Sequence, residues 1–247
     1  MGLLKLNNVA LNYHSLKGET PALKNITLDV NENEFIAIVG PSGCGKTTIL
    51  SLIAGILKPS SGEILIEENK NNYIGYMFQR DHLFEWRTIW QNVILGLELQ
   101  KKKNKENYDY VENLLKKYGL YDFKDKFPRE LSGGMRQRVA LIRTLALNPK
   151  ILLLDEPFSA LDYQTRLNVC DDVSNIIKSE KKTAILVTHD ISEAISMADK
   201  IIILTPRPAE IKKILNIDLQ KYGTPFKRRE CPEFSKLFDI VWKDLEN

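Results

Sequence analysis

Gly40, Pro41, Ser42, Gly43, Cys44, Gly45, Lys46 and Thr47 fit the pattern G-x-x-x-x-G-K-[ST], a run able to hold phosphate. Its glycines let backbone N–H groups turn inward around phosphate oxygens, and a helix beginning at the loop adds a favourable dipole. Lys46 then reaches the terminal phosphates and the Thr47 hydroxyl ligates Mg²⁺, with Thr48 completing the nucleotide-binding stretch. At average residue frequencies the pattern arises by chance in roughly one chain of this length in a hundred, so an accidental Gly-rich turn carries little weight. Cys44 fills a variable position, where a small side chain that fits is a simpler reading than redox control.

About a hundred residues downstream, Ile151, Leu152, Leu153 and Leu154 run into Asp155 and Glu156. Phosphoanhydride hydrolysis needs such a pair: an Asp that orients Mg²⁺ and a neighbouring Glu that polarises the attacking water. An apolar strand ending in Asp-Glu is commonplace alone, but after a phosphate loop it points to a nucleoside triphosphatase.

Between these two motifs, Leu131, Ser132, Gly133, Gly134 and Met135 lead into Arg136, Gln137, Arg138, Val139 and Ala140, a helix start opened by a hydroxyl and paired glycines. Exposed amides at a helix N-terminus form a second anion site that lacks the Lys and the metal ligand of a complete one. A plain capped helix would account for Ser132 but not for the two glycines. An incomplete phosphate site makes sense if two subunits face each other and complete one another's nucleotide.

With this ordered set the chain resembles the ATPases of ABC transporters over about residues 3–245, and the Ser132, Gly133, Gly134 signature with Arg136 to Arg138 after it is the most specific part. The resemblance implies further roles. Tyr13 is similar to the aromatic that stacks on adenine, with the adjacent His14 as the alternative ring. Gln79 resembles the Q-loop glutamine beside Mg²⁺ and the γ-phosphate; Ser159, Ala160, Leu161 and Asp162 resemble the D-loop; and His189 matches the switch histidine that contacts the γ-phosphate. ATP and Mg²⁺ are the implied cofactors. Lys46, Gln79, Glu156 and His189 would serve catalysis, Thr47, Gln79 and Asp155 the metal, and Asp162 the nucleotide. ATP would be held between the Lys46 loop of one subunit and Ser132, Gly133 and Gly134 of the other, and hydrolysis with Glu156 as base would let this homodimer reopen. The other implied partners are membrane-spanning permease subunits and a solute-binding protein, not nucleic acid, which puts the chain at the cytoplasmic face of the cell membrane as a peripheral subunit.

Residues 85–93 and 205–211 resemble importers of the nitrate, sulfonate, taurine and bicarbonate group, which also takes in thiamine-precursor and riboflavin importers. Only 16 residues separate Gly62 from Gln79 and residues 67–73 are polar, so a hairpin common in the family is expected to be trimmed and the solute stays open. Rival readings are an exporter or lipoprotein-release ATPase, and a soluble ABC-type clamp on ribosomes or DNA. The clamp usually carries two cassettes or a long coiled coil, and this sequence has neither. From Phe78 to Asn92, the crowding of Leu83, Phe84, Trp86, Ile89 and Trp90 is expected to provide partly core and partly a patch, around Phe84 and Trp86, that docks a short helix of the membrane partner.

The elements that must position these residues are legible as hydrophobic patterns. Residues 3–13 and 23–30 alternate loosely around a turn-rich stretch, as two strands of a small antiparallel sheet. Residues 35–39 form a continuous apolar run ending at Gly40, a buried strand, and Ile49 to Leu57 recur at helical spacing until Lys58 and Pro59. Apolar runs at 151–154, 184–187 and 201–204, with a helical segment between the first two, imply a parallel sheet covered on both faces. The patterns give an α/β class, and together with the resemblance they imply a P-loop NTPase (RecA-like) core over 1–84 and 149–215, an inserted helical subdomain over 85–148 carrying the signature, and a C-terminal helical extension over 216–247.

At 247 residues, one sizeable core with a smaller subdomain is the expectation. A net charge of +3 is too small to argue for nucleic acid, and no apolar stretch approaches the roughly 18 residues of a spanning helix. Without an apolar leader the chain is expected to stay in the cytoplasm. Cys44, Cys170 and Cys231 have no paired spacing, arguing against disulfides or a zinc site. The basic run at 101–105 reads as a solvated face, with a surface near anionic lipid headgroups as the alternative.

Overall fold

The computed structural model describes residues 2–15, 18–67 and 74–246. Its strands are β1 (Leu4–Ser15), β2 (Gly18–Val30), β3 (Phe35–Val39), β4 (Ser61–Ile66), β5 (Ile74–Met77), β6 (Ile151–Asp155), β7 (Thr183–Val187), β8 (Lys200–Leu204) and β9 (Ile211–Asn216). The helices are α1 (Lys46–Ile53), α2 (Ile89–Val93), α3 (Leu95–Leu99), α4 (Lys105–Lys117), α5 (Gly133–Leu145), α6 (Tyr163–Ser179), α7 (Ile191–Met197), α8 (Pro225–Arg229) and α9 (Pro232–Glu246).

A six-stranded sheet runs in the order β5-β6-β7-β3-β8-β9, parallel from β5 through β8 and closed by β9 antiparallel to β8. A three-stranded antiparallel sheet, β2-β1-β4, lies against it. Strand periodicity assigns the faces, since successive side chains point to opposite sides. In β3, Phe35, Ala37 and Val39 join the core under the helices, while Ile36 and Ile38 join the core shared with the small sheet and α1. In β6, Leu152 and Leu154 take the first face and Ile151 and Leu153 the second. Burial on both faces is why these strands read as unbroken apolar runs.

Several elements depart from the sequence expectations. β1 and β2 extend through much of the stretch expected to be a turn, pairing Tyr13 with Thr20 and His14 with Glu19. Helix α1 stops at Ile53 rather than Leu57, because Gly55 takes the left-handed conformation (φ 71°) and the following amides bond back to the Ser51 carbonyl, leaving Ile56 in solvent. The strands β4, β5 and β9, and the helices α7 and α8, go beyond what the hydrophobic patterns predict. Residues 101–104 are loop ahead of α4, and Lys103 pairs with Glu98. The trimmed hairpin falls largely on residues 68–73, outside the described residues.

Helices α2 to α5 lie between β5 and β6 in the chain, and α5 buries Val139, Leu141, Ile142 and Leu145 in the main core. Helix α9 packs on α7 and β8 through Phe234 and Val241. Among the described residues, no helix is long and apolar enough to cross a membrane.

Candidate functional site

The parallel strands deliver the site residues to one edge of the sheet. The phosphate-loop residues follow β3, Gln79 follows β5, Asp155 and Glu156 end β6, and Thr188 and His189 follow β7. These are all carboxyl ends of strands, where open parallel sheets place their ligand crevice.

An open cavity of about 310 Å³ sits there, lined by Ser42, Gly43, Gly45, Lys46, Thr47, Thr48 and Glu156. Gly45 precedes α1 at φ 123°, and a Cβ there would stand 2.8 Å from the Leu23 side chain, so both conformation and space demand glycine. Lys46 curls over the loop, donating from Nζ to the carbonyls of Gly40 (2.9 Å) and Pro41 (3.0 Å). Cys44 is buried, and that burial pushes its thiol up while the Lys46 charge pulls the other way. The expectation of a small side chain that fits agrees with this.

Asp155 is buried and engaged at both oxygens. Thr47 donates to Oδ1 at 3.0 Å and the Tyr76 hydroxyl donates to Oδ2 at 3.1 Å. Burial pushes the Asp155 carboxyl above its ordinary range, against the pull of those two hydrogen bonds, and the Glu156 charge adds to the rise. Glu156 adopts a left-handed backbone conformation (φ 44°), which is costly for a residue with a side chain and breaks the strand alternation. Its carboxylate consequently meets two of the expected partners: Gln79 donates from Nε2 to Oε2 at 3.3 Å, and His189 Nδ1 stands 3.2 Å from the same oxygen. Gln79 also donates to Ser159 Oγ at 3.3 Å, and Ser159 Oγ donates to the Glu156 carbonyl.

Of the two candidate rings in β1, Tyr13 is the one that reaches the phosphate-loop helix, its hydroxyl 3.0 Å from Thr48 Oγ1 and its face under Arg207. His14 pairs instead with Glu19. Neighbouring strand residues point to opposite faces, which separates the two.

Ser132, Gly133, Gly134 and Asp162 lie outside the cavity formed by their own chain. Ser132 caps α5 by accepting the Met135 amide, and Asp162 caps α6 by accepting the Thr165 amide. The signature glycines pack against the start of α6: a Cβ on Gly134 would come within 3.0 Å of Val169, and one on Gly133 within 3.2 Å of Leu161. Helix α5 also grips the segment after Gln79. Arg136 makes a two-pronged bond to Asp81 and a third to Glu85, while Arg143 donates to the Asp81 and His82 carbonyls. Despite burial, the Arg136 bonds and the Leu83 amide hold the Asp81 carboxyl below its ordinary range. Next to this anchor, Leu83 and Ile89 are buried, whereas the Phe84 and Trp86 rings meet at a tilt with centroids 4.8 Å apart and Trp86 74% exposed.

Sequence reasoning missed Tyr76, Arg207, Arg166 and Glu193. Arg207 lies in the 205–211 stretch already singled out, but its place over Tyr13 was not foreseen, and the other three sit in no recognisable motif; each is defined by a contact with a residue far away in the chain or across a loop.

A nucleotide-sized cavity on a glycine loop, at the carboxyl edge of a parallel sheet and flanked by Asp155 and Glu156, defines a P-loop nucleoside triphosphatase with an α/β, RecA-like core. A family model described as ABC transporter matches residues 23–159. The chain is 47% identical to the uncharacterized ABC transporter ATP-binding protein YtlC of Bacillus subtilis, with 100% of this chain and 97% of that protein covered. It is 37% identical to the taurine import ATP-binding protein TauB of Roseobacter denitrificans, over 98% of this chain and 95% of the relative. Among solved structures, the ATP-binding cassette MJ0796, dimeric in a post-hydrolysis state with ADP and Pi, aligns with a TM-score of 0.72 at 33% identity, covering 87% of this chain and 99% of that one. The chain belongs to the ABC transporter family, as an ATP-binding and ATP-hydrolysing subunit.

Proposed function

We propose that this subunit energises solute import across the cytoplasmic membrane as half of an ATP-clamping homodimer, from a peripheral position on the permease. The observation that carries the reading is that Thr47 and Glu156 line the phosphate-loop cavity while Asp155 holds the first and Gln79 and His189 meet the second. Lys46 neutralises the terminal phosphates of ATP, exchanging the loop carbonyls it now caps for phosphate oxygens. Gly40, Pro41, Ser42, Gly43, Cys44, Gly45 and Thr48 supply the cradle, and Tyr13, fixed by Thr48, offers its ring to the base.

The donor set fits Mg²⁺: a hydroxyl and a carboxylate 3.0 Å apart are hard oxygen ligands, and a cation would relieve the cost of burying Asp155. Thr47, Asp155 and Gln79 would hold it, and when bound it supplies charge neutralisation of the phosphates. Glu156 orients and deprotonates the attacking water; Gln79 and His189 hold its carboxylate and sense the γ-phosphate. Ser132, Gly133, Gly134 and Asp162, turned away from their own chain's cavity, serve the nucleotide of the facing subunit. The dimeric state of the MJ0796 cassette supports this arrangement.

We read residues 1–84 and 149–215 as the ATPase core, 85–148 as the helical subdomain and 216–247 as an extension. The Phe84 and Trp86 patch is the docking point for a membrane-spanning subunit, with a solute-binding protein completing the assembly. The taurine import relative supports import over the exporter and clamp readings, and the solute is set by the partners. The test is Lys46→Ala with nucleotide binding and turnover measured: loss of either is expected, and wild-type turnover would remove the phosphate-loop assignment.

A further inference from the structure

Arg166, in the first turn of α6, touches two loops at once. Its Nη2 donates to the Leu161 carbonyl at 2.9 Å, its Nη1 donates to Asp190 Oδ2 at 3.4 Å, and its Nε stands 3.9 Å from Oε1 of Glu193. Leu161 belongs to the loop whose Ser159 holds Gln79 and the Glu156 carbonyl, whereas Asp190 directly follows His189. The second loop is tied down independently. Glu193 is only 3% exposed and accepts the Thr188 hydroxyl at 2.6 Å, and Thr188 Oγ1 in turn accepts the Asp190 amide at 3.0 Å. Asp190 caps α7 by accepting the amides of Ser192 and Glu193. The residues on either side of His189 are thus anchored to one buried carboxylate, and Arg166 bridges that anchor to the Leu161 backbone.

We propose that Arg166 is a positioning residue for hydrolysis, clamping the 159–162 loop to the His189 loop so that both meet the nucleotide cavity in one fixed relation. This rests on the roles given above to Glu156 and His189. A planar guanidinium suits the task, because its fork of donors points in several fixed directions, where an ammonium offers a single compact charge. Among the described residues its Nε is a buried donor without an acceptor, and a shift of about 1 Å toward Glu193 would bring it into hydrogen-bond range. Drawing the two loops together is therefore favoured, since the bond gained would join a charged donor to a carboxylate in a poorly solvated pocket.

The experiment is a double-mutant cycle on the full chain with Arg166→Met, which keeps the apolar stem and removes the donors, and Glu193→Gln, which keeps the shape and removes the charge. Trinitrophenyl-ATP binding, kcat and KM for ATP, and the thermal midpoint are measured for each. The expected result is a kcat lowered about 10- to 100-fold in each single variant, the scale of a slightly misplaced catalytic group. Nucleotide affinity should stay within about twofold, and the double variant should be no slower than the slower single one. A wild-type kcat in Arg166→Met, losses that multiply in the double variant, or affinity falling in step with kcat would each overturn the clamp. If circular dichroism shows Arg166→Met unfolded, Arg166→Lys takes its place in the cycle under the same criteria. Lys46→Ala run alongside separates the two levels of inference. Should it turn over normally, the nucleotide site itself is misassigned; should it be inert while Arg166→Met is normal, the clamp alone fails.

Discussion

Glu193 offers a stability test whose sign and size follow from its surroundings. Burial pushes its carboxyl from 4.5 up to about 7, against the Thr188 hydrogen bond; the Asp190 charge adds to the rise, and Arg166 and Arg229 oppose it. Below pH 4.5 the carboxyl is protonated in both the folded and unfolded chain and costs nothing. Between pH 4.5 and about 7 the unfolded chain gives up its proton first, so folding stability falls as pH rises. Above about 7 both forms are ionised and the loss is complete, amounting to roughly 3 kcal/mol at about 1.4 kcal/mol per pH unit. Glu193→Gln cannot ionise and escapes this loss. It adds a pH-independent offset, because part of its amide now presents N–H groups toward Arg166. Urea unfolding of the two proteins across this pH range should show the variant gaining on wild type, by roughly 3 kcal/mol between about pH 4.5 and 8. Parallel stability curves, or a variant that loses ground as pH rises, would refute the premise that burial governs this carboxylate.

Three further outcomes are expected. Glu156→Gln should bind ATP, hydrolyse it very slowly and accumulate as an ATP-bound dimer by light scattering, since the amide keeps the shape and loses the base; a persistent monomer at saturating ATP counts against the clamped dimer. Ser132→Arg should block hydrolysis but leave ATP binding by the isolated monomer intact, because Ser132 lies outside its own chain's cavity; impaired monomer binding would mean the signature acts within one chain. Replacing Phe84 and Trp86 by Ser should abolish co-purification with the membrane subunits while basal hydrolysis persists. With Trp86 74% exposed, its burial is favourable by up to roughly 4 kcal/mol. Full assembly and full substrate-stimulated hydrolysis in that variant would move the contact elsewhere.

The sequence by itself determined what depends on neighbours in the chain. The phosphate loop is legible because its turn needs Gly45 at a conformation other residues avoid, with Lys46 and Thr47 directly after it, where the proposed phosphate and metal contacts require them. β3, β6, β7 and β8 are legible because burial on both faces leaves only apolar residues. Strands β4, β5 and β9 escaped notice because they are short or half exposed and are stabilised by backbone bonds to a partner strand that no local pattern names. The edges of elements followed backbone chemistry rather than periodicity, as at Gly55, where a left-handed residue ended a helix whose apolar spacing continued. Only the tertiary structure decided that Tyr13, rather than His14, reaches Thr48, that Tyr76 holds the second oxygen of Asp155, and that Arg166 joins two loops. Gln79, Glu156 and His189 are likewise scattered along the chain, and their meeting is a consequence of parallel register. Adjacent parallel strands end on the same edge of the sheet, so residues that follow different strands converge there however much sequence separates them.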